Sequence, residues 1–399
     1  MTYTLMPHQQ RTVDRLLKDK RLLMWADAGT GKTLVAIDAA LKTKRPVIVI
    51  APRFLENNWR AELEKWGVDS KDYRFYSHHE VRQGKLPPVM NSLLVIDECH
   101  FAFGNTQSKT YKAFVKWHDT FEPRYTLLLS GTPIRTKPSE IYGQLKLVGY
   151  DECRSVYSFK ELYVRMEPLH PGSPYMQETG VLHAPSFRKM LMPFVERVKL
   201  AEVLTLEPLV SQAIDLELKE DKLLNELAKC HDADELARAM SNNARGIETK
   251  LTIAKVKATA IVKEGFLDTL AGPVIIFSDH PDALDILVAG CKEPHGVINA
   301  KTPPEVRAKI ADAYQQGKFD RLYINIRCGG VGLNLQRAQY VVFNDLAYTP
   351  ADNRQALARA YRQGRTGTLV VYKIFSGYHD KHLGTLLTTK RCMLTQVDT

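Results

Sequence analysis

The chain has few cysteines and none of them are grouped. Cys99, Cys153, Cys230, Cys291, Cys328 and Cys392 are scattered through 399 residues with no Cys-x-x-Cys pair. This spacing excludes the common zinc sites and offers no disulfide framework, so free thiols in a reducing compartment are expected. Long apolar runs are also missing, and none approaches the roughly 20 residues that span a bilayer. The opening segment MTYTLMPHQQ is polar and lacks the apolar stretch of a secretion signal. A cytoplasmic or nuclear location is therefore expected, or the host cytoplasm for a viral chain, with no membrane partner. There is no short-period repeat and no low-complexity tract, which excludes solenoids and biased linkers.

The chain does carry a surplus of positive charge and enough apolar residues for two cores. Hydrophobic residues make up 44% of it, and 55 Lys and Arg face 45 Asp and Glu, for a net charge of +10. The length suits two domains better than one. The charge suits a polyanion, since phosphate contacts dominate affinity for nucleic acids.

Short continuous apolar runs recur along the chain. RLLMWA (21–26), PVIVIA (46–51), SLLVID (92–97) and YTLLLS (125–130) read as strands of a parallel sheet covered on both faces. Helical stretches such as 32–42 and 53–66 lie between them, so the class is α/β with right-handed crossovers. Residues 140–265 give few strand signals and read as a helical middle. Alternation returns at PVIIFS (273–278), GVIN (296–299), RLYINI (321–326), QYVVF (339–343) and TLVVYKI (368–374). The expected division is a first lobe over 1–205, with a helical extension from about residue 140, and a second lobe over 206–399.

The first apolar run leads into ADAGTGKT, residues 26–33, and then into a helix. Gly29 and Gly31 allow backbone conformations closed to other residues. With Ala28 and Thr30, their N–H groups and the following helix N-terminus can cradle phosphates. In such a loop Lys32 reaches the β- and γ-phosphates and the Thr33 hydroxyl holds Mg²⁺. Asp97 and Glu98 follow SLLVI directly, at a strand end where α/β sheets bind ligands. Neighbouring side chains on a strand point to opposite sides and can serve different tasks. Asp97 is assigned to Mg²⁺ and Glu98 to the proton of the attacking water. Cys99 and His100 lack further ligands nearby in sequence, so an interfacial role is expected for His100.

At this point the chain resembles a superfamily-two helicase, and most of all the Swi/Snf group of DNA translocases. LMPHQ (5–9) resembles the Q motif, with Gln9 as the adenine reader, and ADAGTGKT resembles motif I. The segment IAPRFLENNWRAELEKW (50–66) resembles motif Ia with its Trp59 and Trp66 spacing, DECH resembles motif II, and LSGTPIRT (129–136) resembles motif III. VIIFSDH (274–280), CGGVGLNL (328–335) and DLAYTPADNRQALARAYRQGR (345–365) resemble motifs IV, V and VI. Three places depart from the pattern. Ala26 replaces the first glycine of motif I, Tyr348 stands where the group has Trp, and Gln363-Gly364-Arg365 replaces Ile-Gly-Gln.

The resemblance implies two tandem RecA-like domains with parallel sheets and a helical insertion between them, using ATP and Mg²⁺. It implies that Arg359 and Arg362, three apart on one helix face, act as arginine fingers, with Gln355 a turn earlier near the γ-phosphate. Gly329, Gly330 and Gly332 would let the chain approach nucleotide or backbone closely, with Asn334 linking that loop to the site. Ser130 and Thr132 would couple the site to DNA. The expected activity is ATP hydrolysis that drives movement along duplex DNA through backbone contacts, by a chain that is monomeric when free. Two alternatives stay open: a strand-separating DNA or RNA helicase, and a nucleotide-switched DNA-binding subunit of a larger complex. A packaging motor is disfavoured, because motifs IV–VI occupy the place of a nuclease domain. Tyr157, Phe159, Tyr163, Arg165 and Tyr175 in the segment 150–200 read as a packed helical insertion.

Overall fold

The computed structural model describes residues 4–168, 172–216, 244–329 and 333–376. It divides into two compact units, with the break between Thr205 and Leu206.

In the first unit, helix α1 (Pro7–Asp19) precedes strand β1 (Arg21–Ala26), and helix α2 (Lys32–Thr43) follows it. Then come β2 (Val47–Ile50), helix α3 (Glu56–Lys65), β3 (Tyr73–Tyr76), β4 (Leu93–Asp97) and β5 (Tyr125–Ser130). A hairpin of β6 (Val164–Pro168) and β7 (Met176–Val181) leads on to β8 (Val195–Val198). The main sheet runs β3-β2-β4-β5-β1-β8, and every pairing in it is parallel. Its central strands have solvent on neither face, which is why they are continuous apolar runs. Leu22, Leu23 and Met24 are fully buried, as are Leu93 through Ile96 and Leu127 through Leu129. Each such side chain contributes about 1.5–3 kcal/mol through the hydrophobic effect.

The second unit holds β9 (Leu209–Leu216), β10 (Val274–Ser278), β11 (His295–Ile298), β12 (Arg321–Asn325), β13 (Tyr340–Phe343) and β14 (Leu369–Ser376). Their order is β11-β12-β10-β13-β14-β9, again all parallel. Both units are thus parallel α/β domains of the RecA-like kind.

The middle of the chain departs from expectation. The stretch 140–265 is not only helical. It also supplies β6 and β7, which form an antiparallel hairpin, and β8 and β9, which close one edge of each main sheet. Edge strands face water on one side, so they carry polar residues and lose the continuous apolar signature. β9 reads LVSQAIDL and is largely exposed. β3, with the sequence YRFY, escaped for the same reason at the opposite edge of its sheet.

Candidate active site

Strand β1 ends at Ala26, and the loop that follows turns sharply because Gly29 and Gly31 take left-handed φ values of 86° and 80°. Gly31 is the N-cap of α2 and has no side chain with which to cap it. The first N–H groups of a helix have no acceptor inside the helix. Here they face a glycine turn, which suits an anion. Lys32 Nζ donates to the carbonyls of Ala26 at 2.8 Å and Asp27 at 3.1 Å, so its charge is held over the loop. Thr30 Oγ donates to Asp27 O at 2.8 Å, and Thr33 lies in the first turn of α2.

Helix α1 supports this loop from outside. Gln9 Nε2 donates to Thr30 O at 3.2 Å, and Gln9 Oε1 accepts from Met6 N at 2.9 Å. His8 Nε2 lies 2.9 Å from the same Thr30 carbonyl and, facing an acceptor, must be the protonated ring nitrogen. On the opposite side the end of β8 clasps the loop. Arg197 pairs with Asp27 at 3.1 Å and stacks over Trp25, while Leu200 N donates to the second oxygen of Asp27 at 3.0 Å.

In the sheet, β5 lies between β1 and β4, so the loops after all three strands emerge along one edge. Asp97 closes β4 and is buried. Its Oδ1 accepts from Glu98 N and its Oδ2 from Trp59 Nε1, each at 2.9 Å. Burial first, and then the charge of Glu98, push the Asp97 carboxyl above the usual carboxylate range, against the Trp59 hydrogen bond and the charge of Lys32. Lys32 and the acidic pair therefore share one electrostatic environment. Glu98 adopts a left-handed φ of 48°, which turns it out of the strand path. One of its oxygens lies 3.4 Å from His100 Nδ1, and the same nitrogen lies 2.8 Å from Ser130 Oγ.

Ser130 Oγ accepts from Thr132 N at 3.0 Å, so the turn after β5 is joined to His100 through that hydroxyl. A β-carbon on Gly131 would sit 3.9 Å from Lys32 Nζ, which places this turn against the phosphate loop. Gln144, fully buried, donates to Pro133 O at 2.7 Å and accepts from Cys99 Sγ at 3.1 Å, tying the loops after β4 and β5 together. Burial pushes the Cys99 thiol far up, so it stays neutral. Among the described residues no group of three or more His, Cys, Asp or Glu could hold a metal ion. A Mg²⁺ held by Asp97 and Thr33 would take its other oxygens from phosphate and water, as that ion commonly does.

Sequence reasoning missed Trp59 as a partner of Asp97, Gln144 as a staple, and the clasp between Arg197 and Asp27. The Trp59 spacing was visible, but nothing in the sequence says which way the indole points.

In the second unit one expectation is corrected. Gln355 lies on the helix Pro350–Leu357, but Arg359 and Arg362 fall beyond its end and do not share a helix face. The chain leaves the helix because Arg359 O is taken by Leu335 N at 3.0 Å and because Gly364, at a φ of 87°, turns it back. Both arginines lie in the turn instead, Arg359 buried and Arg362 bonded to Asn334 Oδ1. Arg365 is also buried, and it donates to the carbonyls of Gly367 and Thr368 at 3.1 and 2.8 Å, which makes it structural. Gly330 and Gly332 lie outside the described residues. Tyr348 carries Lys250 Nζ 3.5 Å above its ring. In the segment 150–200, Phe159 is core, whereas Tyr157 and Tyr175 are exposed.

Comparison with known proteins covers nearly the whole chain. Residues 2–86 match the model of the type III restriction enzyme res subunit, 78–255 the SNF2-related domain, and 257–364 the helicase conserved C-terminal domain. The DNA annealing helicase and endonuclease ZRANB3 of Mus musculus is 24% identical, over 97% of this chain and 40% of its own length. The SWI/SNF-related matrix-associated actin-dependent regulator of chromatin subfamily A-like protein 1 of Xenopus tropicalis is 24% identical, over 98% of this chain and 45% of its own length. The chain therefore spans less than half the length of these two relatives. A solved structure, the Sulfolobus solfataricus SWI2/SNF2 ATPase core in complex with dsDNA, aligns at 20% identity and a TM-score of 0.44, covering 98% of this chain and 92% of that one. With SNF2-related and helicase C-terminal models matched in order along two parallel α/β units, the chain belongs to the superfamily-two helicases, in their Swi/Snf-like branch.

Proposed function

We propose that this chain hydrolyses ATP and uses the cycle to move along duplex DNA. The observation that carries the reading is the convergence of Lys32, Asp97, Glu98 and the Ser130–Thr132 turn on the loops after three neighbouring strands. The phosphates would rest on the amides of Ala28 through Thr33, and Lys32 would exchange its carbonyl acceptors for phosphate oxygens. Gln9, already fixed beside Thr30, would face the adenine. Asp97 and Thr33 offer hard oxygen donors that fit Mg²⁺, and a buried carboxylate is eased by a bound cation. That ion would supply neutralising charge at the phosphate bridge.

Glu98 would take a proton from water as the water oxygen bonds to the γ-phosphorus and the bond to the β-phosphate oxygen breaks. Gln355, Arg359 and Arg362, with Gly332, are proposed to come from the second unit and stabilise the departing charge. Arginine fingers of this kind are worth about 10³–10⁵ in kcat. Hydrolysis would then require the lobes to close, and its completion would release them, a transition driven by differential affinity. Contacts to the DNA backbone carry little sequence information, so binding should be nonspecific and sensitive to salt. The relatives described as a DNA annealing helicase and a chromatin regulator point to DNA and to a nuclear setting. We take the free chain to be a monomer.

The test is phosphate release measured with duplex DNA, single-stranded DNA and RNA at one salt concentration. Strongest stimulation by duplex DNA is expected. Stimulation by none of them would remove the motor and favour a nucleotide-switched subunit, and strand displacement in a parallel assay would favour a separating helicase.

A further inference from the structure

Trp59 lies in the segment that resembles motif Ia, and its side chain is turned inward. The residue is 1% exposed, on α3, with its ring edge-on to Phe75 at 6.3 Å. Its indole N–H donates to Asp97 Oδ2 at 2.9 Å, across 38 positions of sequence. A buried tryptophan needs an acceptor for that proton, and a main-chain carbonyl would serve as well. Trp117 uses one, Pro87 O at 2.8 Å. Trp59 uses the carboxylate at the end of β4, and Glu98 N holds the other oxygen. With both oxygens held, the plane of the carboxylate is fixed before any ligand arrives. The remaining lone pairs point in set directions.

We propose that Trp59 is a positioning residue that orients Asp97 for the divalent metal. The inference rests on the reading of Asp97 as a metal ligand. Partners one step behind a metal ligand fix its orientation, and their loss commonly costs about 10–100-fold in metal affinity. Trp59 does this from α3, whose Arg60 is stacked on Phe75 with its guanidinium carbon 4.9 Å from the ring centre. The carboxylate is thereby joined to the helix that follows Arg53 and carries Asn57 and Asn58.

The test compares wild type, Trp59→Phe and Asp97→Asn by the affinity of a fluorescent ADP with and without Mg²⁺. Phenylalanine keeps an aromatic ring against Phe75 and removes the donor, with some loss of buried volume. Expected for Trp59→Phe is a Mg²⁺ requirement raised about 10–100-fold, with metal-free ADP affinity unchanged. A merely structural role would weaken both affinities together, and that result, or an unchanged Mg²⁺ requirement, overturns the proposal. If Asp97→Asn leaves the Mg²⁺ dependence intact, the metal assignment itself has failed, and the proposal falls with it.

A second measurement needs no variant at Trp59. Mn²⁺ with ADP should broaden the ¹⁵N-indole resonance of Trp59 before those of Trp66 and Trp117, which bond to Glu62 and Pro87. Equal broadening of all three would overturn the assignment.

Discussion

The side-chain amide of Gln9 fills the space beside Gly31 in which a β-carbon would sit, 2.2 Å from that position. A side chain at position 31 would have to push the end of Gln9 out of its hydrogen bonds. Gln9 is pinned by Met6 N and Thr30 O, and Gly31 holds a φ of 80°. Gly31→Ala should therefore cost about 1–2 kcal/mol from the left-handed backbone alone, plus the displacement of Gln9. Thermal unfolding and the affinity for a fluorescent ATP analogue should both fall. The double variant with Gln9→Ala should regain only the part due to the clash. Full recovery would show that the backbone conformation is not strained by a side chain.

Lys32→Ala and Glu98→Gln should separate binding from chemistry. The first removes the charge held over the phosphate loop and should weaken nucleotide binding. The second keeps the shape beside His100 but removes the proton acceptor, so turnover should drop about 10²–10⁴-fold while ATP stays bound. Single-turnover hydrolysis with a parallel binding measurement checks both. Wild-type turnover by Glu98→Gln would remove that residue from the role of water activator.

Arg362→Ala should lower kcat by about 10³-fold or more and leave nucleotide affinity in the first unit nearly unchanged. Asn334→Ala should have a smaller effect of the same kind, because Asn334 holds the Arg362 side chain. If Arg362→Ala weakened binding and turnover equally, Arg362 would be acting in the ground state and not as a finger.

Acid should destabilise the first unit through His78. Burial, and then its electrostatic interaction with His100, lower the His78 pKa to about 4, and its ring stands edge-on to Phe103. Above pH 6.5 both folded and unfolded chains carry it neutral, and the stability is fully present. Between 6.5 and about 4 the unfolded chain takes up a proton that the folded one refuses, so stability falls as pH falls. The loss is on the order of 1–3 kcal/mol. Asp97, raised by burial, acts in the opposite sense over the acid part of this range. The measurement is thus the difference between wild type and His78→Phe in melting temperature from pH 7 to 4. Parallel curves would clear His78 of the effect.

Much of the fold was legible because the central strands of a parallel sheet must be apolar on both faces. β1, β2, β4 and β5 stand where their apolar runs predict, and so do β10 to β14. The edge strands β3 and β9 were not legible, since they are partly or largely exposed and their sequences are mixed, and β8, though mostly buried, has its apolar run broken by Glu196 and Arg197. Helix ends were read less well. The repeat through QALARAYR suggests a longer helix, but the carbonyl of Arg359 leaves the helical path to meet Leu335 N. That partner lies 24 residues upstream and leaves no local mark.

The sequence alone singled out the residues proposed to bear chemistry. A glycine turn before a helix, a lysine within it and two carboxylates at a strand end are local devices whose function follows from backbone geometry and charge. Only the tertiary structure decided which of them meet and what holds them. The parallel order of β1, β5 and β4 brings Lys32, Ser130 and Asp97 to one edge. The packing of α3 turns Trp59 toward Asp97, and that of α1 seats Gln9 beside Gly31. These contacts join residues tens of positions apart. They depend on how helices pack on the sheet, and no run of neighbouring residues encodes that.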